Sequence, residues 1–293
     1  MLIEQLQKEG LRRNLSPRTI QTYAHCIQQF LHHVHHKELK TITKEEIRNY
    51  LDKFLTCPNT LNVHLNALKF FYEHVLHKKL TVNIQFSKTA KRLPEFLTKE
   101  ELVDLLSNIK NSKHLLMIEL MYGTGMRVSE LLYLKIKDIA FEQNYGWVRQ
   151  GKGRKDRPFI IPLKLKEKLL TLIQDEQLTS ENFLFCSNRQ KQYSASSLRA
   201  IIQEATRKST ITKNIHPHTL RHSFATHLIQ NGYAVTELQP LLGHSKVETT
   251  MIYVHMAAPN MLTVKSPYDE LEIEHENRKT SVEEMGSLHN RNP

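Results

Sequence analysis

Four short segments carry residue types suited to chemistry on a phosphate. In Gly123-Thr124-Gly125-Met126-Arg127-Val128-Ser129-Glu130, the two glycines permit a tight turn of positive φ between helices. Arg127 then falls in the first turn of the second helix, with Glu130 three residues on along the same face. A guanidinium there opposes the helix dipole unless an anion is near. Taken alone, the pair reads as a surface ion pair. In His216-Pro217-His218-Thr219-Leu220-Arg221-His222, proline suits a first helical position, and Leu220, Phe224 and Leu228 mark a buried stripe. His218, Arg221 and His222 share another face, and two imidazoles beside a guanidinium favour an anion. A metal held by His218 and His222 is the competing reading, disfavoured by the intervening arginine and the lack of a placed glutamate.

The third segment is Leu242-Gly243-His244-Ser245-Lys246-Val247-Glu248, where Gly243 closes one helix and Ser245 with Glu248 forms a capping box for the next. His244 lies at that corner and Tyr253 about two turns along, where a tyrosine is ordinarily half-buried packing. In the fourth, Gly151-Lys152-Gly153, Lys152 rides a turn where lysines are usually just solvated. Together the segments supply two arginines, two histidines, a lysine and a tyrosine, with no acidic cluster of the kind that holds catalytic Mg²⁺. That inventory fits metal-free chemistry on a phosphodiester. Planar guanidiniums stabilise charge on the equatorial oxygens, a hydroxyl serves as nucleophile, and the leaving oxygen needs a proton donor.

The elements that must position these groups are mainly helices. Residues 1–82 read as four: Leu2, Ile3, Leu6 and Leu11 mark one, and Ile20, Tyr23, Ile27, Phe30 and Val34 recur at helical spacing after a Ser16 cap. The third follows a Thr43/Glu46 capping box and the fourth follows Pro58. Residues 83–96 lose the period and read as a basic linker. Thr98 and Glu101 cap the next helix, opening a domain over 97–265. Within it Tyr145–Val148 and Arg157–Ile161 flank the Lys152 turn as a β-hairpin, and helices resume to about 258. The expected class is mainly α with a small β-hairpin or sheet in the C-terminal domain.

The 293 residues carry a formal charge of +11, unevenly placed. Residues 266–293 form a polar tail with seven acidic and three basic side chains, which leaves 38 basic against 23 acidic, or +15, on residues 1–265. A basic body with an acidic, extended tail suits a partner that is a polyanion, most often nucleic acid. Cys26, Cys57 and Cys186 are odd in number and far apart, arguing for free thiols in a reducing compartment rather than disulfides or a zinc ribbon. No run of 18 apolar residues and no signal-peptide pattern occurs, so nothing directs the chain into a membrane.

The four segments, in this order and spacing, resemble the motifs of the tyrosine recombinases of the phage-integrase family, with the layout of the compact Xer-type members. The resemblance spans about residues 1–258 and implies a two-domain, C-shaped DNA clamp. It also implies an N-terminal SAM-like core-binding domain and no arm-binding domain ahead of it. It further implies a site-specific recombinase that cleaves double-stranded DNA through a 3′-phosphotyrosine, with no cofactor, metal or ATP. A prokaryotic, cytoplasmic setting and a synaptic complex of four like or unlike protomers on a DNA recombination site are implied as well. Carried over residue by residue, Tyr253 is the nucleophile and Arg127 and Arg221 clamp the phosphate. Lys152 is the general acid, His218 helps take the tyrosine proton, His244 hydrogen-bonds the phosphate, and Glu130 supports the site.

Two features depart from that pattern. Pro259 and Pro267 are expected to interrupt the helix that would follow the tyrosine, leaving it short or replaced by an extended arm. The run His32-His33-Val34-His35-His36 has no family counterpart and reads as a solvated or DNA-facing patch rather than a metal site. The rival functions are a catalytically idle DNA-binding protein of the same fold and a type IB topoisomerase. The intact set of six candidate residues argues against the first, and the compact helical N-terminal domain against the second.

Overall fold

Helix starts carry the caps their sequences predict. Ser16 accepts a hydrogen bond from the Thr19 amide ahead of Pro17, and Thr43 and Thr98 form reciprocal capping boxes with Glu46 and Glu101. The computed structural model describes residues 2–35, 37–80, 93–149, 156–186, 192–244 and 246–261. The Ser245 cap, the Lys152 turn, most of the 83–96 linker, Pro267 and the 266–293 tail lie outside them. The chain divides into two units, Met1–Arg92 and Leu93–Pro293.

The first unit holds α1 (Leu2–Arg12), α2 (Pro17–His33), α3 (Lys44–Asp52) and α4 (Pro58–Phe70), the last running into a π turn at Phe71–Val75. Their apolar stripes meet in one core around Leu6, Ile27, Phe30, Tyr50, Leu65 and Phe71. The buried Tyr50 hydroxyl is satisfied by the Cys26 carbonyl at 3.0 Å and His64 Nδ1 at 2.8 Å. In the histidine run, His33 Nδ1 accepts from Lys53 Nζ at 2.8 Å, and His36 lies outside the described residues.

The second unit begins with α5 (Lys99–Ser107), α6 (Ser112–Thr124) and the single-turn α7 (Val128–Leu132). A three-stranded antiparallel sheet follows: β1 (Ile139–Ala140), β2 (Tyr145–Val148) and β3 (Arg157–Ile160), in that order. The hairpin was legible; β1, two residues long, had no signal. Register pairs Tyr145 with Ile160 and Val148 with Arg157, and the pleat turns Arg157 inward together with Phe159. Then come α8 (Leu163–Asp175), α9 (Ala195–Lys208), α10 (Pro217–Gln230), α11 (Val235–Leu242) and α12 (Val247–Met261).

Two expectations need correction. α10 is not a one-stripe helix: α6, α9, α11 and α12 pack around it, so Arg221, Ser223, Thr226 and His227 are buried while Phe224 and Leu228 are only partly so. Pro259 does not end α12, which continues to Met261. So near a helix end, a proline forfeits one hydrogen bond without stopping the turn. Cys26, Cys57 and Cys186 are all unpaired, as predicted. Among the described residues no helix is long and apolar enough to cross a membrane.

Candidate active site

The glycine turn divides its labour differently from the sequence reading. Only Gly125 adopts positive φ, 60°, as the left-handed cap of α6. Gly123 is helical, and a Cβ on it would stand 2.6 Å from Pro162 Cγ, so it serves close approach instead. Arg127 is the extended N-cap of α7, one residue before the helical turn expected. Its amide donates to Glu130 Oε2 at 2.9 Å and its Nη1 to Oε1 at 2.6 Å.

This is no surface ion pair. Glu130 is buried, and its Oε2 also accepts from Arg157 Nη2 at 2.6 Å and lies 3.9 Å from Arg221 Nη1. Burial pushes the Glu130 carboxyl upward, but hydrogen bonding and charge from Arg157, then Arg127, outweigh it and hold it at about 2. Arg157 is equally buried, donates to the Leu241 carbonyl, and leaves its Nε without a partner among the described residues. A Cβ on Gly243 would stand 2.7 Å from Arg157 Cδ, so the α11–α12 corner sits flush on the arginine stem.

Arg221 is seated by the two corners it joins. Its Nη1 donates to the Gly125 carbonyl at 2.7 Å, and its Nη2 donates to the Leu242 carbonyl and approaches His244 Nε2 at 3.3 Å. Burial, then the like charges of Arg127 and Arg157, lower its pKa to about 10. His244 is lowered to about 4 by burial and then by Arg221, Arg127 and Arg157, so it is neutral. With Nε2 accepting from Arg221, Nδ1 carries the proton and donates to the buried Thr250 hydroxyl at 2.9 Å.

Tyr253 is 2% exposed, its ring stacked on His244 at 6.2 Å between centroids and 13° between planes. Its hydroxyl lies 3.2 Å from His222 Nδ1. Burial raises the phenol pKa, while charge and hydrogen bonding from Arg221, and charge from Arg127, pull it down. His218 is exposed at the start of α10 and makes no hydrogen bond among the described residues. Its pKa is lowered by the protein packed about the ring and then by His216, Arg221, Arg127 and Arg199. Of the site residues named from sequence, the structure gathers Arg127, Glu130, His218, Arg221, His244 and Tyr253, and Lys152 lies outside the described residues.

Sequence reasoning missed Arg157, Thr250 and the pairing of His222 with Tyr253. The signal for Arg157 was available: strand alternation sets it on the same face as Phe159, so a charge there had to be buried and matched. Chemically, Arg127, Arg157 and Arg221 share the single carboxylate of Glu130, which leaves surplus positive charge beside a buried phenol. Such a pocket attracts an anion and stabilises a phenolate as it forms.

Comparisons with known proteins bear on the family and the fold. Residues 95–259 match the phage integrase family, and residues 2–82 match the phage integrase N-terminal SAM-like domain. A tyrosine recombinase of Pseudothermotoga lettingae is 36% identical over 259 residues, covering 83% of this chain and 89% of the relative. The solved structure of XerA recombinase is 29% identical, covers 89% of this chain and 96% of its own, and has a TM-score of 0.54. XerH site-specific recombinase bound to its difH substrate has the same fold, with a TM-score of 0.67 at 24% identity over 86% of this chain and 82% of its own. With both halves of the chain matched and the arginine, histidine and tyrosine motifs gathered in one pocket, the protein belongs to the phage integrase family and is a tyrosine recombinase.

Proposed function

We propose that Tyr253 attacks a phosphodiester of double-stranded DNA within the site of its own chain, forming a 3′-phosphotyrosine and releasing a 5′-hydroxyl. Arg127 and Arg221 hold the non-bridging oxygens, and the seated geometry of Arg221 makes that clamp preorganised, which is where such charge stabilisation gains its strength. His244 hydrogen-bonds the phosphate from Nε2, which takes the ring proton when the phosphate replaces it as the partner of Arg221, the Thr250 hydroxyl then donating to Nδ1; His218, exposed and free of hydrogen bonds among the described residues, is available to the phosphate as well. Glu130 fixes the arginines without touching substrate. Lys152 donates the proton to the leaving 5′-oxygen. The phosphodiester energy is kept in the protein–DNA bond, so a 5′-hydroxyl from a partner strand completes the exchange without ATP or a metal. The partner is a DNA recombination site gripped by a synaptic complex of four protomers.

The observation that carries this reading is the buried Tyr253 phenol under the pull of Arg221 and Arg127. Nicked duplexes of random sequence, incubated with the protein in EDTA, will yield a covalent adduct whose digestion gives a phosphotyrosine peptide containing residue 253. Sequencing the captured DNA then supplies the target. An adduct that persists in Tyr253→Phe, or forms only with added Mg²⁺, overturns the reading.

A further inference from the structure

The attacking phenol begins protonated, because burial favours its neutral form. Some group must take that proton as the bond to phosphorus forms. The sequence reading gave the task to His218. In the structure, however, the imidazole that meets the phenol is His222, one turn further along α10, with Nδ1 at 3.2 Å from the Tyr253 hydroxyl and ring centroids 5.8 Å apart. His218 makes no hydrogen bond among the described residues. His222 and Tyr253 stand on α10 and α12, which pack directly on each other, so this contact belongs to the folded core of the unit.

We infer that His222 is the proton acceptor for Tyr253 in strand cleavage. The inference rests on the phosphodiester reaction proposed above. As the Oη–P bond forms and the P–O5′ bond breaks, the phenol proton passes to Nδ1 of His222, and the 5′-oxygen takes a proton from the general acid. Joining returns both protons. Nδ1 must hold a free lone pair, and the surroundings ensure it. Burial, then His218, His216 and Arg221, hold the His222 pKa at about 4. The other groups facing it are Tyr253 from α12 and His244 from the α11–α12 corner, whose own ring is also neutral. A base this weak cannot ionise an isolated phenol, so transfer is coupled to P–O bond formation, which makes the phenol oxygen strongly acidic as its charge flows to phosphorus. Arg221 and Arg127 assist by stabilising the same charge.

The test uses the full chain and the duplex recovered by covalent capture, with adduct formation followed in single turnover between about pH 5.5 and 9.5. His222→Asn sets an amide oxygen near the position of Nδ1, able to accept a hydrogen bond but not a proton. At neutral pH the variant will be about 100-fold slower or worse, the loss typical of removing a general base. Its rate will climb about tenfold per pH unit as solvent hydroxide replaces the base, whereas the wild-type profile stays level through the same range. Added imidazole will accelerate His222→Ala, and His218→Ala will keep the level wild-type profile. Unchanged duplex binding by His222→Asn in a Tyr253→Phe background confirms folding. A His222→Asn variant within about threefold of wild type, or one slowed with a level profile, assigns His222 to packing and overturns the inference alone. A wild-type protein that gives no adduct overturns the phosphodiester reading and this inference together.

Discussion

Glu130 lies 2.6 Å from Arg127, 2.6 Å from Arg157 and 3.9 Å from Arg221, so its removal leaves like charges facing each other inside the protein. Glu130→Ala is expected to destabilise the chain by about 3–5 kcal/mol, the usual cost of orphaning a buried ion, measured from urea midpoints at neutral pH. The same residue sets the acid limit. Its carboxyl is held at about 2 against an ordinary 4.5, so its contribution is complete above pH 4.5 and is lost as the pH falls toward 2. His222 and His244 act earlier, because each is held at about 4 against an ordinary 6.5. The unfolded chain takes up their protons first, so stability declines as the pH drops from 6.5 to 4. Urea midpoints at neutral, mildly acid and strongly acid pH will show both steps, and Glu130→Gln will shrink the lower one, which the Lys37-paired carboxyl of Glu46, also held at about 2, shares. Arg127, Arg221, His244 and Tyr253 were legible because each sits beside a cap, a glycine corner or a helical period. Thr250 was not, because nothing in a threonine on a helix says that its hydroxyl will orient an imidazole six residues earlier.

Among the elements, the α6–α7 turn is the most constrained. Gly125 has φ 60°, its carbonyl anchors Arg221, and a Cβ there would stand 2.4 Å from Phe224 Cδ1. Gly125→Ala therefore combines left-handed strain of about 1–3 kcal/mol with a clash against a ring on α10. It should lower the thermal midpoint and slow adduct formation while leaving far-UV helicity nearly unchanged. Helix positions were readable from caps and period at Ser16, Thr43 and Thr98. Burial around α10 was not, since periodicity reports one apolar face, and a helix enclosed by four neighbours buries polar faces as well. The end of α12 was misread because proline was treated as a stop rather than a local loss.

For the molecule as a whole, charge decides how DNA is met. Residues 1–265 carry +15, a charge suited to many phosphate contacts on a duplex. Duplex affinity should fall by about 1000-fold or more between 50 and 200 mM salt, and removing residues 266–293, net acidic, should raise it at every salt concentration. Filter binding across a salt series checks both.

One local arrangement governs how freely the nucleophile can travel. Arg157 grips the Leu241 carbonyl, Arg221 grips that of Leu242, and Gly243 lies flat against the Arg157 stem. The end of α11, from which the chain turns toward the tyrosine-bearing α12, is thus bolted to the guanidinium platform, and any excursion of α12 must pivot beyond Gly243. Under the reaction proposed above, a protomer that withdraws its phenol this way keeps Arg221 seated on the Gly125 and Leu242 carbonyls, and so retains its grip on the phosphate while unable to cut it.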